Sequence, residues 1–210
     1  MPEITGPTDE QNRTIGDDDA GFVARCRQGD TEEFAVLVRR HQKKMLNIAY
    51  RMIGDYDEAC DVVQEAFLSA YRAIGKFRGE ARFSTWLGGI VVNQARDHLS
   101  QRTARTRREE SLFADPAKPE DGHILNASLN REDPSDTQLE KRELEAKVQE
   151  CIGCLEGEQR EVLVLRDIHE YSYEEIGAML KLPPGTVRSR LFRARNALKD
   201  NLRRVWGDLI

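Results

Sequence analysis

Between Thr186 and Arg204 the chain sets seven Arg or Lys against a single acid, Asp200. Arg188, Ser189, Phe192, Arg193 and Asn196 recur at spacings that place them on one face of a helix. Val187, Leu191, Ala194 and Leu198 fall on the opposite, apolar face. Guanidinium forks can bond the edge of guanine, and an exposed ring can meet a thymine methyl. Such a face suits the major groove of duplex DNA.

A face of this kind is useful only if something aims it. Ser172 followed three residues later by Glu175 is a capping box, which satisfies the free amides that open a helix. Ile176, Met179 and Leu180 give that helix an apolar stripe, and Pro183, Pro184 and Gly185 then break it and re-aim the backbone. Capped helix, break and one-sided basic helix occur in the order of a helix-turn-helix. A merely solvated, charge-rich helix would share the composition but not the preceding elements.

A second constellation lies in residues 76–98. Phe77, Phe83 and Trp86 interleave with Lys76, Arg78 and Arg82. Aromatics beside basic groups are the composition of a single-strand stacking platform, where each stacked base contributes about 1–3 kcal/mol. The same three rings would equally serve as ordinary core, and composition does not separate the two. Ser84 is placed to cap a helix from about Thr85, with Leu87, Val91, Ala95 and His98 inward. Trp86, Gly89, Asn93 and Arg96 share another face, expected to be free of the domain's own core. Arg102, Arg105, Arg107 and Arg108 follow as a basic tail suited to phosphates.

The remaining chain reads as scaffold. Hydrophobic content of 39% and aromatic content of 7% fit a soluble, helix-rich protein. Net charge is −5, but residues 1–20 hold six acids and one base and residues 109–137 hold eight acids and two bases. Positive charge is thereby focused on particular faces. The N-terminus shows neither a signal peptide nor a membrane span, so a cytoplasmic protein without membrane insertion is expected. Cys26, Cys60, Cys151 and Cys154 fit a reducing compartment rather than a disulfide framework. Cys151 and Cys154 form a lone C-x-x-C with no partner pair, read as small helix-face residues ahead of zinc or redox chemistry. No catalytic constellation is visible, and no metal or cofactor is expected.

The architecture expected is all-α: two small helical domains joined by a flexible acidic linker. Residues 1–16 read as a disordered acidic tail, 17–104 as the first domain, 105–137 as linker and 138–206 as the helix-turn-helix domain. In the first domain a short helix from Asp17 buries Phe22, Val23 and Cys26 and ends at Gly29. Thr31 is expected to cap the next, which runs to Gly54. The third, 55–74, buries Ala59, Val62, Val63, Ala66, Phe67, Ala70 and Tyr71 and leaves Asp61, Gln64, Glu65 and Ser69 for solvent or a partner. Helices resume over 139–154 and 158–168.

Two blocks, DVVQEAFLSAYRAIGKFRGEARFSTWL and SYEEIGAMLKLPPGTVRSRLFRARNAL, together resemble the extracytoplasmic-function sigma factors of bacterial RNA polymerase. The resemblance covers about 17–104 and 138–204. It implies a non-enzymatic initiation factor that binds core polymerase through the clamp helices of the largest subunit and the flap of the second-largest. Asp61, Gln64, Glu65 and Phe67 match the clamp-docking segment. Phe77, Phe83, Trp86, Asn93 and Arg96 lie in the stretch that opens the −10 element, Asn93 where a flipped base is read and Trp86 where an aromatic supports it. Arg188, Ser189, Arg190, Phe192, Arg193 and Asn196 lie on the helix that reads the −35 element of promoter DNA. The acidic tether would thread toward the active-site cleft. An anti-sigma factor is the expected regulator.

Two other readings compete. A stand-alone helix-turn-helix repressor would use the same C-terminal helices but leaves residues 61–96 unexplained. A Cys-dependent redox enzyme has only the C-x-x-C behind it.

Overall fold

The computed structural model describes residues 19–112 and 136–207, which are helical apart from the connections between helices. The tail expected over 1–16 and most of the expected linker lie outside the described residues. The helices are α1 (Ala20–Arg27), α2 (Thr31–Ile53), α3 (Tyr56–Ala73), α4 (Phe83–Leu112), α5 (Asp136–Gly153), α6 (Gly157–Leu163), α7 (Tyr173–Leu180) and α8 (Pro184–Trp206). A wider π-type turn, Val164–Ile168, extends α6.

Local chemistry explains the boundaries. Asp30, not Thr31, caps α2: its carboxylate accepts the amides of Glu32 at 3.0 Å and Glu33 at 3.4 Å. A carboxylate reaches the first-turn amides better than a hydroxyl and also meets the positive helix end. Gly54 closes α2 in the left-handed region at φ 87°. Asp55 caps α3 by accepting the Glu58 amide at 2.9 Å. Helix α4 starts at Phe83, before the expected Ser84 cap, and runs on to Leu112. The basic stretch from Arg102 is therefore helical.

In the N-terminal half, Leu37, Met45, Ile48 and Met52 of α2 meet Ala59, Val62, Val63, Ala66 and Ala70 of α3 and Leu87, Val91 and Ala95 of α4. In the C-terminal half, Ile152, Leu155, Val162, Leu163 and Leu165 pack beneath Ile176, Leu180, Val187, Leu191 and Ala194. The capping box forms as expected: Ser172 Oγ accepts the Glu175 amide at 3.1 Å, and the Ser172 amide donates back to Glu175 at 2.9 Å. The break differs in detail. Lys181, at φ 56°, ends α7, while Pro184 is the first residue of α8, where its missing N–H removes nothing.

Gly177 makes this tight turn possible, because a Cβ there would lie 2.8 Å from the Leu182 carbonyl oxygen. Backbone cannot yield as a flexible side chain can. Gly177→Ala should therefore destabilise the C-terminal half by about 1–3 kcal/mol, the usual cost of overpacking. Urea denaturation would show a lower midpoint with an unchanged slope; an unmoved midpoint would mean the turn relaxes freely.

The two halves do not stand apart. Their apolar residues form one continuous cluster, and α7 packs on α4 while α5 and α6 touch α2. Arg160 of α6 donates to the carbonyls of Met52, Gly153 and Leu155 at 2.6, 2.6 and 2.9 Å, tying α2 to the end of α5. Gln149 accepts from Arg51 at 3.0 Å and donates to the Tyr50 carbonyl at 3.3 Å. Lys44 sits 3.9 Å over the Tyr171 ring.

His169 belongs to this junction. Burial, reinforced by Lys44 and Arg51, pushes its imidazole pKa down to about 4, and its Nε2 is buried without a hydrogen-bond partner. The imidazole is neutral in the fold, whereas the unfolded chain takes up a proton near pH 6.5. Stability present above pH 6.5 is then lost progressively as pH falls toward 4, by about 1–2 kcal/mol once solvent screening is allowed for. Denaturation at pH 7 and pH 4.5 should show this loss, and His169→Gln should shrink it. An equal loss in both proteins would assign the acid sensitivity elsewhere.

Candidate nucleic-acid interface and docking surface

Helix α8 buries Val187, Leu191 and Ala194 and thereby turns Arg188, Ser189, Phe192, Arg193 and Asn196 outward. Phe192 is 68% exposed, a large ring held in water with apolar surface to offer a partner. Ser189 bonds the Thr186 carbonyl at 3.0 Å, and Arg188 lies 5.7 Å from the Tyr173 ring centroid. Arg190 is placed differently from its neighbours. It pairs with Glu158 at 2.9 Å and its side chain is largely covered. Arg195 is likewise engaged, both carboxylate oxygens of Asp167 accepting from it at 2.6 and 2.9 Å.

The aromatic stretch divides. Phe77 and Phe83 are buried; their ring centroids lie 4.9 and 5.7 Å from that of Trp86 and 6.1 Å from each other. Two of the three rings are thus core, and they anchor the third, which is half-buried at the surface. Asn93 stands exposed on the next turns of α4. Lys76, Arg78, Thr85, Gly89 and Met179 help to line a cleft around Trp86 and Asn93.

The face of Trp86, Gly89, Asn93 and Arg96 lies outside its own domain's core, but α7 and α6 touch part of it. A Cβ on Gly89 would be 3.6 Å from the Met179 Cα, and one on Gly88 would be 3.1 Å from the Met179 Cε. Arg96 donates through two N–H groups to both carboxylate oxygens of buried Glu161, which raises its pKa further. Thr85 donates to Glu175 at 2.9 Å. The other half thus reaches Gly89 and Arg96, while Asn93 stays exposed beside the cleft.

A third surface is an apolar groove between α2 and α3. Phe34, Val38, Leu46, Val63, Phe67, Leu68 and Tyr71 line it, with Gln42, Lys43, Cys60 and Gln64 interspersed. Leu68 and Tyr71 are 48% and 43% exposed. Asp61, Gln64 and Glu65 are exposed alongside, and Phe67 is buried in the groove wall. Periodicity assigned Tyr71 to the core and passed over Leu68. The signal that could have found them is an apolar stripe on α3 too wide for one neighbour.

Cys151 is buried, which raises its thiol pKa, and Cys154 is exposed. Among the described residues no group of three or more His, Cys, Asp or Glu is arranged to hold a metal. Nor is any described helix long and apolar enough to cross a membrane.

Comparison with known proteins places this geometry. Residues 37–105 match the model for Sigma-70 region 2, and residues 145–198 match that for Sigma-70, region 4. The RNA polymerase sigma-H factor of Pseudomonas aeruginosa is 40% identical over 184 residues, spanning 88% of this chain and 93% of the relative. The ECF RNA polymerase sigma-E factor of Escherichia coli K12 is 39% identical over 184 residues, spanning 88% and 94%. Among solved structures, CnrH in complex with the cytosolic domain of CnrY aligns with a TM-score of 0.63 at 27% identity, over 88% of this chain and 96% of that one. The sigma factor RpoE of Bartonella quintana, solved with the anti-sigma factor NepR, shares the fold at a TM-score of 0.59 and 22% identity, over 82% and 98%. With two sigma regions in order and near-full-length relatives of this identity, the chain belongs to the extracytoplasmic-function family of RNA polymerase sigma factors.

Proposed function

We propose a division of this sigma factor's work among its three surfaces. The groove of α2 and α3, rimmed by Asp61, Gln64 and Glu65, docks on the clamp helices of core polymerase. Arg188, Ser189, Phe192, Arg193 and Asn196 of α8 read the −35 element. Trp86, Asn93 and Arg96 of α4 capture the melted −10 strand, with Phe77 and Phe83 holding Trp86 in place. Phosphodiester chemistry belongs to the polymerase, in the cytoplasm. An anti-sigma factor would compete for the apolar groove; the similar CnrH is solved with the cytosolic domain of another protein.

The observation that carries this reading is exposed Asn93 beside half-buried Trp86, itself braced by two buried rings. An amide offers both donor and acceptor to a base edge, which an unstacked base requires. Asn93→Ala should weaken promoter opening by about 1–3 kcal/mol and leave closed-complex binding nearly unchanged. Permanganate footprinting at the −10 region beside a closed-complex shift assay makes the comparison. If opening and docking fall together, or neither falls, Asn93 does not capture a base.

A further inference from the structure

None of the three surfaces uses Cys151 or Cys154, yet the fold gives the two thiols unequal places on one turn. Cys151 is 2% exposed on α5, and its carbonyl accepts from Asn201 Nδ2 at 3.2 Å, so it sits beneath the far end of α8. Cys154 is exposed at the turn into α6. The Cys154 amide still donates to the Glu150 carbonyl at 3.0 Å, so residues 151–154 keep a helical turn. Such a turn sets Cα atoms three positions apart at about 5 Å. A disulfide spans roughly 4.4–6.8 Å between Cα atoms, so the pair is within bridging range. Gly153 lies between them with nothing within 4 Å of where its Cβ would be, so no side chain opposes closure.

Access divides the roles of the two sulfurs. Burial raises the Cys151 thiol pKa, and the neighbouring Cys154 adds to this, so Cys151 stays protonated and shielded from reagents in solution. Cys154 meets solvent. Arg160 spans the same turn, donating to the Gly153 carbonyl at 2.6 Å and the Leu155 carbonyl at 2.9 Å, one on each side of Cys154. Its Nε is buried without a hydrogen-bond partner. Burial lowers the Arg160 pKa, and proximity to Cys154 works against that. A cationic donor therefore lies beside the sulfur that becomes an anion when thiols exchange.

We propose that Cys151 and Cys154 form a reversible disulfide, a modification site through which disulfide stress loosens the C-terminal half beneath α8. The oxidant is a small disulfide such as oxidised glutathione. The Cys154 thiolate attacks one of its sulfurs, forming a mixed disulfide and releasing one glutathione thiolate. The Cys151 sulfur then attacks the Cys154 sulfur and expels the second glutathione, which takes up the Cys151 proton. Two thiols are oxidised to one bridge, and one glutathione disulfide is reduced to two glutathione molecules. In a reducing compartment the pair rests as thiols and closes when the disulfide pool rises.

Closing this bridge strains the fold more than it staples it. The loop contains two intervening residues, so little freedom is removed from the unfolded chain. Drawing buried Cys151 toward Cys154 shifts the Gly153 and Leu155 carbonyls under Arg160, a half-buried cation that then loses acceptors. It also moves the Cys151 carbonyl away from Asn201, the fastening of α5 to α8.

Peptide mapping of the full chain, after glutathione disulfide and an iodoacetamide quench, tests the chemistry. A Cys151–Cys154 bridge is expected, and in Cys151→Ala a glutathione adduct should accumulate on Cys154. The oxidised chain should unfold at lower urea than the reduced chain and recover with dithiothreitol. Amides around Asn201 should exchange with solvent at least about threefold faster in the oxidised chain. Cys154→Ser, a change at an exposed position, should fold normally and abolish both responses. A wild-type chain that stops at the glutathione adduct, or bridges to Cys26 or Cys60 instead, overturns the pairing. A bridged chain whose urea midpoint is unmoved or raised overturns the loosening.

Discussion

Leu68→Asp should lower affinity for core RNA polymerase by about a hundredfold while the chain stays folded. Leu68 is 48% exposed beside Tyr71 in a groove lined by Val38, Leu46 and Val63. A large apolar side chain held in water within a concave, apolar surface is the form an anchor residue takes before its partner arrives. Anchors of this kind contribute about 2–4 kcal/mol, and an aspartate also carries a charge into the desolvated centre. The folded state loses little, since exposed substitutions usually shift stability by about 0.5 kcal/mol or less. Charge reversal at Asp61 or Glu65 should act more weakly. Both are on the rim, and Glu65 already shares its charge with Arg72 at 3.5 Å. Titration of labelled chain against core enzyme, with helicity checked by circular dichroism, ranks the three. Full affinity in a folded Leu68→Asp chain would remove the groove as the docking site.

The sequence disclosed most where the governing interactions are local. The Ser172–Glu175 box, the stop at Gly54 and the buried stripe of α8 follow from spacing and residue type, and each is present. Asp30 and Thr31 can both cap by residue type, and only geometry shows that Asp30 reaches the amides. Aromatic composition could not say that Phe77 and Phe83 are buried while Trp86 reaches the surface, because that depends on how the loop before α4 folds back. Arg190 and Arg195 looked equivalent to Arg188 and Arg193 as charges. What separates them is acids elsewhere in the chain, Glu158 and Asp167, 32 and 28 positions away. Packing of α7 on α4 was least legible of all. It rests on Met179 meeting two glycines across the whole linker, and no period in either helix reports such a contact.

The same distinction among arginines sets the other large effect. Arg188→Ala combined with Arg193→Ala should cost about 2–6 kcal/mol in −35 recognition, the sum of two base-reading contacts of about 1–3 kcal/mol each. Both side chains are exposed on α8, flanking the outward ring of Phe192. Among the described residues neither is paired with a carboxylate: Arg188 has the Tyr173 ring nearby, and Arg193 makes a long bond of 3.5 Å to the Ser189 carbonyl. They can therefore reach a groove without breaking an ion pair. Arg190→Ala should behave otherwise. It frees Glu158 at the edge of α6 and shifts stability slightly, with little change in base discrimination. Binding to promoter duplexes with each −35 position substituted separates base reading from phosphate contact. A base reader loses its preference at one position, whereas a phosphate contact weakens every duplex alike and lowers the salt dependence by about one ion. If the double variant discriminates among −35 sequences as the wild-type chain does, α8 grips the backbone through these arginines, and sequence must be read by Ser189, Phe192 and Asn196 alone.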